Sequence, residues 1–143
     1  MRNLDGVIRL HRWQVDEKGR KLRELQDLAQ RLSADIDGLA AELRGEQAAA
    51  ARSVEAHAAY ERYAARNMAQ RRNLARSVAE LESEIEAARA ELAEAHGELK
   101  RYEIIQGDRE KRLQLRAKRL EQMTADEIAL AGHRRRQPVP GNA

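Results

Sequence analysis

The stretch Leu22–Leu43, "LRELQDLAQRLSADIDGLAAEL", decides the fold of this chain. Its apolar residues recur at spacings that alternate between three and four, which is the seam of an α-helical coiled coil. The same alternation starts well before this stretch, and His11 and Lys18 are its two polar interruptions. In order, the seam positions are Leu4, Ile8, His11, Val15, Lys18, Leu22, Leu25, Ala29, Leu32, Ile36, Leu39 and Leu43.

A second seam with the same alternation follows in the second half of the chain. Its positions are Leu74, Val78, Leu81, Ile85, Ala88, Leu92, Ala95, Leu99 and Tyr102. The phase is kept between the two seams, but large apolar side chains become rare there. The intervening positions are Glu46, Ala50, Ser53, His57, Tyr60, Ala64, Asn67 and Arg71.

Two architectures fit this pattern: one very long helix that dimerises, or a helical hairpin that folds back near the weak middle. Folding back pairs seam positions whose residue numbers add to 106 or 107, such as Leu25 with Leu81. Both polar interruptions then lie opposite alanine, and Lys18 can extend its ammonium past a small partner. A register slipped by one heptad, which pairs Ala29 with Ile85, also fits. The expected tip lies near 52–58, with Ser53 as the candidate N-cap of the second helix.

The composition favours helix and argues against an enzyme. Charged residues make up 36% of the chain, the mean hydropathy is −0.80, and the two prolines lie in the last six residues. There is no cysteine, the four histidines are scattered, and the glycines form no phosphate-binding loop. We therefore expect no catalytic, cofactor or metal site. No apolar run approaches the length of a membrane span, which favours a cytoplasmic protein.

The charges are unevenly distributed along the chain. Residues 1–31 carry a net charge of +3 and residues 100–136 carry +5, whereas residues 32–99 carry −5. A hairpin would collect the two basic ends at its base, where they favour an acidic partner. Pairing of Leu4 near Tyr102 leaves the later part of the second helix as an overhang. The prediction is thus an all-α chain: a long antiparallel two-helix coiled-coil hairpin over 1–132, with an overhanging C-terminal helix and a short disordered basic tail, 133–143.

The tyrosines stand out because the chain has only four aromatic side chains in total, three Tyr and one Trp. Tyr60 falls on the seam near the tip, whereas Tyr63 falls on its flank and is expected to face outward. Rigid amphipathic rings beside a weakly packed tip can pack locally or dock a partner. Trp13, off the seam near the basic base, leaves the same two alternatives open.

The order of these features resembles the FliJ family of the bacterial flagellar type III export apparatus. The resemblance rests on "LDGVIRLHRWQVDEKGRKLREL", "AYERYAARNMAQRRNLARSVAELESEI", "ELKRYE" and "ADEIALAGHRR". It implies a stalk whose base enters the ring of the hexameric export ATPase. The same stalk protein would contact the cytoplasmic domain of the export-gate membrane protein and handle export chaperones. The chain departs from the family pattern at Asn67 and Gln70, where an apolar stripe would continue.

Site residues follow from the resemblance. Tyr60 and Tyr63 match the family's aromatic pair, near the surface used for the gate. The residues implied to meet the ATPase ring are Arg9, Arg12, Lys18, Arg109, Arg112, Arg116 and Arg119. The implied protein is a non-enzymatic stalk and adaptor of flagellum biogenesis, and hence of cell motility and chemotaxis, without cofactor, metal or nucleic acid. It would be peripheral at the cytoplasmic face of the inner membrane through its partners. The alternatives are a homodimeric coiled-coil spacer and a nucleic-acid-binding protein resembling a basic zipper.

Overall fold

The computed structural model describes residues 3–136, and over that range the chain consists of two α-helices. Helix α1 spans Asp5–Ala50 and helix α2 spans Val54–Arg136. The two helices pack against each other, and no strand occurs among the described residues. The predicted all-α helical hairpin is therefore confirmed, and the single long helix is wrong.

The chain reverses direction in three residues, 51–53. The Ser53 side-chain oxygen accepts a hydrogen bond from the Ala56 backbone N–H at 3.0 Å, and the Ser53 carbonyl accepts from the His57 N–H at 3.1 Å. Ser53 is therefore the N-cap of α2, which satisfies a donor that the first turn would otherwise leave unpaired. A capping serine provides the reversal although the turn contains neither glycine nor proline.

The chain divides into two units, of which the larger is residues 9–99. Within it, α2 buries Leu81, Ile85, Ala88 and Ala95, while the α1 seam positions from His11 to Leu43 are half-buried. Burying a leucine or isoleucine side chain contributes about 1.5–3 kcal/mol. Two packed helices cover a stripe rather than enclose a centre, so most of the seam stays partly accessible.

Two contacts between the helices show the register of the larger unit. Asn67 Nδ2 donates to the Leu39 carbonyl at 2.9 Å, and their residue numbers add to 106. The Tyr63 hydroxyl lies 3.4 Å from the Glu42 carboxylate, and that pair adds to 105. Both contacts agree with the pairing expected from the seam. A slip of one heptad would move each partner by a full two turns of helix.

The two polar interruptions of the α1 seam each reach an acidic residue of α2. Lys18 Nζ lies 3.4 Å from Glu91, and His11 Nδ1 lies 3.6 Å from Glu98, a pair that is ionic only when the histidine is protonated. Ala88 and Ala95, the alanines expected opposite them, are 4% exposed. Small residues on α2 thus give the two longer side chains room to reach carboxylates at the edge of the seam.

The smaller unit consists of residues 1–8 and 100–143, of which 3–8 and 100–136 are described. Ile8 is buried, and Gln106 Nε2 donates to Asn3 Oδ1 and Asp5 Oδ1, each at 3.2 Å. From residue 108 to residue 131 every residue of α2 is exposed. This unit therefore contains a long stretch of helix that the start of α1 leaves uncovered.

The end of α2 differs from the expected helix stop after Gly132. The helix continues to Arg136, so residues 133–136 of the expected tail are helical, and 137–143 lie outside the described residues. A glycine costs only about 1 kcal/mol in a helix interior, and the basic last turn complements the negative end of the helix dipole. Neither described helix contains an apolar stretch long enough to cross a bilayer.

Candidate partner-binding surfaces

A basic cleft lies in the smaller unit, beside the start of α1. Arg109, Arg112 and Arg116 line it, and their spacings of three and four place them on one face of α2. The cleft has a volume of about 580 Å³. Its other lining residues are Asn3, Asp5, Gln106, Glu110 and Leu113.

The charge around this cleft is strongly positive. Residues 109–119 contain six Lys or Arg and one Glu. Arg119 is exposed on the same stretch, although it does not line the cleft. Guanidinium groups present a planar fork of donors that matches carboxylates, and at exposed positions they are little desolvated before binding. The arrangement suits an acidic protein surface.

The other three cations predicted for this interface belong to the larger unit. Arg9 and Arg12 are exposed on α1. Lys18 is half-buried and forms its ion pair with Glu91 within the chain. The side chains of this pair are 39% and 50% exposed, and solvent-accessible ion pairs contribute little to stability, so Lys18 can exchange Glu91 for another partner at a small cost in free energy. The structure therefore collects Arg109, Arg112 and Arg116 around one cleft, but it assigns Lys18 a partner inside the hairpin.

The tyrosine pair lies on α2, in the larger unit. Tyr60 is half-buried on the seam, with its ring centroid 6.5 Å from that of His57. Tyr63 was expected to face outward, but it is half-buried, and its hydroxyl donates to Glu42 of α1 at 3.4 Å. The expectation is wrong because a flanking residue of an antiparallel pair can reach the flanking residue of the opposite helix.

An open depression of about 560 Å³ accompanies the tyrosines, lined by Ala59, Arg62, Ala65 and Arg66. Ala59 and Arg66 lie one helical turn before and after Tyr63, so the depression lies on the same stretch of α2, although neither tyrosine lines it. Its two alanines offer apolar contact, and its two arginines add hydrogen-bond donors. This surface could accept an apolar side chain flanked by an acidic one.

Trp13 is the most conspicuous apolar side chain on α1, with 59% of its surface exposed. Leu10, one turn earlier, is 52% exposed. A tryptophan that packs against little in its own chain is the residue type most enriched at the centre of protein interfaces. This exposure makes Trp13 a candidate anchor for a partner, and its role stays a prediction.

Sequence reasoning treated Asn67 only as a departure from an apolar stripe. In the structure it is 3% exposed, its amide nitrogen is bonded to Leu39, and its Oδ1 is buried without a partner among the described residues. Arg71 follows one turn later with a buried Nε in the same condition. The signal that could have identified the pair is its position, since both residues occupy seam positions where a polar group must be buried.

No group of three or more His, Asp or Glu side chains suited to a metal ion occurs among residues 3–136. Among known protein families, the family described as "Flagellar FliJ protein" matches residues 1–138 of this chain. Comparisons with curated proteins and with solved structures gave no match.

Proposed function

This chain belongs to the FliJ family, a family of non-enzymatic adaptors of flagellar export, and we propose that it is the stalk and adaptor of that apparatus. In this proposal its basic surface inserts into the ring of the hexameric export ATPase. The tyrosine surface contacts the cytoplasmic domain of the export-gate membrane protein, and the chain handles export chaperones. It works in the cytoplasm, at the face of the inner membrane, through these partners.

The observation that carries the ATPase contact is the cleft of Arg109, Arg112 and Arg116. Three guanidinium groups on one helix face, in a stretch with a net charge of +5, produce a strong local field. Such a field speeds the encounter with an acidic surface and orients the chain before close contacts form. Arg119, Arg9 and Arg12 are exposed and extend the set of candidate contacts.

The test of the ATPase contact is a triple charge reversal, Arg109→Glu, Arg112→Glu and Arg116→Glu. We expect it to weaken binding to the purified ATPase at least tenfold and to lose any stimulation of hydrolysis, because like charges then face each other. The matched control is Arg52→Glu, Arg72→Glu and Arg76→Glu, which changes the net charge equally at exposed positions outside both candidate surfaces. Equal losses in both triple variants would reduce the effect to net charge and contradict the assigned site.

The gate contact is tested at Tyr63. Replacing it by alanine should weaken binding to the gate's cytoplasmic domain by about 1–3 kcal/mol, since the ring supplies apolar area at low entropic cost. Tyr63→Phe removes only the hydroxyl that bonds Glu42 and should keep most of the affinity. Titrations and melting curves are recorded together. If Tyr63→Ala binds the gate domain as the parent does, the tyrosines serve tip packing and the contact lies elsewhere.

A further inference from the structure

The seam of α2 keeps its heptad phase into the exposed segment 108–131. The alternation that passes through Leu99 and Tyr102 continues with Gln106, Arg109, Leu113, Arg116, Leu120, Met123, Glu127 and Leu130. Four of these positions are apolar, and each of those side chains is 50–64% exposed. Since α1 begins at Asp5, whose carboxylate already contacts Gln106, the later seam positions lie beyond the start of α1 in this unit.

We propose that this segment is a self-association surface, on which the same segment of a second copy of this chain packs antiparallel. Residues 109–119 carry six basic and one acidic side chain, whereas residues 120–131 carry three acidic and no basic side chains. An antiparallel arrangement places the basic half of each copy against the acidic half of the other, which is the complementarity that selects orientation in coiled coils.

The seam positions fit the same arrangement when paired residues add to 243. Leu113 then lies opposite Leu130 of the second copy, and Leu120 lies opposite Met123. The polar seam positions also match, because Arg116 meets Glu127. Each pairing occurs twice about a two-fold axis between residues 121 and 122, as in an isologous interface. A parallel pair would instead set Arg116 against Arg116 and Glu127 against Glu127, which like-charge repulsion disfavours.

The flanks of the seam are compatible with close approach. On one side, Arg119 comes beside Asp126 of the second copy. Asp126 is exposed, and its bond from Gln122 is long, at 3.4 Å. The other flank carries the small uncharged residues Ala117, Thr124 and Ala131. Within the described part of the chain, neither Arg116 nor Glu127 forms an ion pair, so both are available to a second copy.

The inference does not depend on the proposed export function, and it is tested on the purified full-length chain alone. Sedimentation equilibrium should show a concentration-dependent monomer and dimer. Arg116→Glu and Glu127→Arg each create a like-charge pair and should weaken dimerisation at least tenfold. The double variant restores opposite charges and should dimerise as the parent does. Controls are Lys118→Glu and Glu121→Arg, which make the same charge changes off the seam and should leave the dimer unaffected.

Orientation is tested with a single spin label, which the absence of cysteine makes simple. In the antiparallel dimer the two labels at Thr124→Cys are offset along the axis by about 8 Å, whereas those at Ala131→Cys are offset by about 29 Å. A short distance at 124 and a long one at 131 supports the proposal. Equal distances at the two positions mean a parallel dimer, and a monomer at every concentration means no self-association; either result overturns it. Equal weakening by Lys118→Glu and Arg116→Glu would also overturn the specific pairing.

Discussion

Two stretches of α2 have the same heptad alternation but differ in burial. From Leu74 to Leu99 the seam is covered by α1, and Leu81, Ile85, Ala88 and Ala95 are buried. From 108 to 131, in the other unit, every residue is exposed. The periodicity of a seam therefore identifies which face of a helix is suited to packing against another helix. Whether the partner is part of the same chain depends on how long the neighbouring helix is.

The largest expected effect comes from placing a carboxylate on each seam in turn. Leu81→Asp should lower the free energy of unfolding by about 3 kcal/mol or more, because the charge is buried without a partner. Leu120→Asp, at a residue that is 64% exposed in the single chain, should change it by less than about 0.5 kcal/mol at protein concentrations low enough to keep the chain monomeric. Thermal and urea unfolding followed by circular dichroism measures both. Similar losses in the two variants would mean that the two stretches are equally buried, and the comparison would fail.

A smaller effect is expected at the polar middle of the covered seam. Asn67→Ala should cost about 1–3 kcal/mol, since it removes the bond to the Leu39 carbonyl and leaves a gap at a residue that is 3% exposed. The control is Asn73→Ala at an exposed position of α2, which should be near neutral. Urea denaturation of both variants decides the matter. Equal stabilities would show that neither the bond nor the packing of the Asn67 side chain contributes to stability.

The smallest expected effect comes from replacing a glycine of α2 by alanine. This substitution tests whether a helical segment unfolds together with the hairpin or only frays locally. An added methyl group at Gly97 or at Gly132 would meet no atom within 4 Å. Gly97→Ala, in the covered stretch, should raise the free energy of unfolding by about 0.5–1 kcal/mol. Gly132→Ala, near the end of α2, should increase the helix signal while leaving the unfolding midpoint where it is. A raised midpoint in the second variant would show that the end of α2 unfolds together with the hairpin.

The sequence predicts much of this fold because coiled-coil packing follows from spacing alone. The heptad spacing predicts the seam positions and the pairing of Leu39 with the region of Asn67. The position of Ser53 at the expected tip predicts its role as the N-cap. The position of Tyr63 does not, since its reach to Glu42 depends on how closely two helices approach. The hydrogen bond from Asn67 to the Leu39 carbonyl cannot be predicted from the sequence either, because the sequence does not specify which backbone acceptor a buried amide will bind. The site residues assigned through the family resemblance remain predictions.

The three-residue reversal at 51–53 has a consequence for how the hairpin is assembled. Because the same chain supplies both helices, each faces its partner at an effective concentration in the millimolar range that no dilution can lower. Cutting the chain after Arg52, an exposed residue, would turn folding into a reaction between two molecules. The hairpin would then melt at a temperature that rises with protein concentration. The short reversal thus keeps the two helices paired in dilute solution although their seam contains polar residues, namely His11, Lys18, Asn67 and Arg71. Two separate helices of the same sequence would dissociate under those conditions.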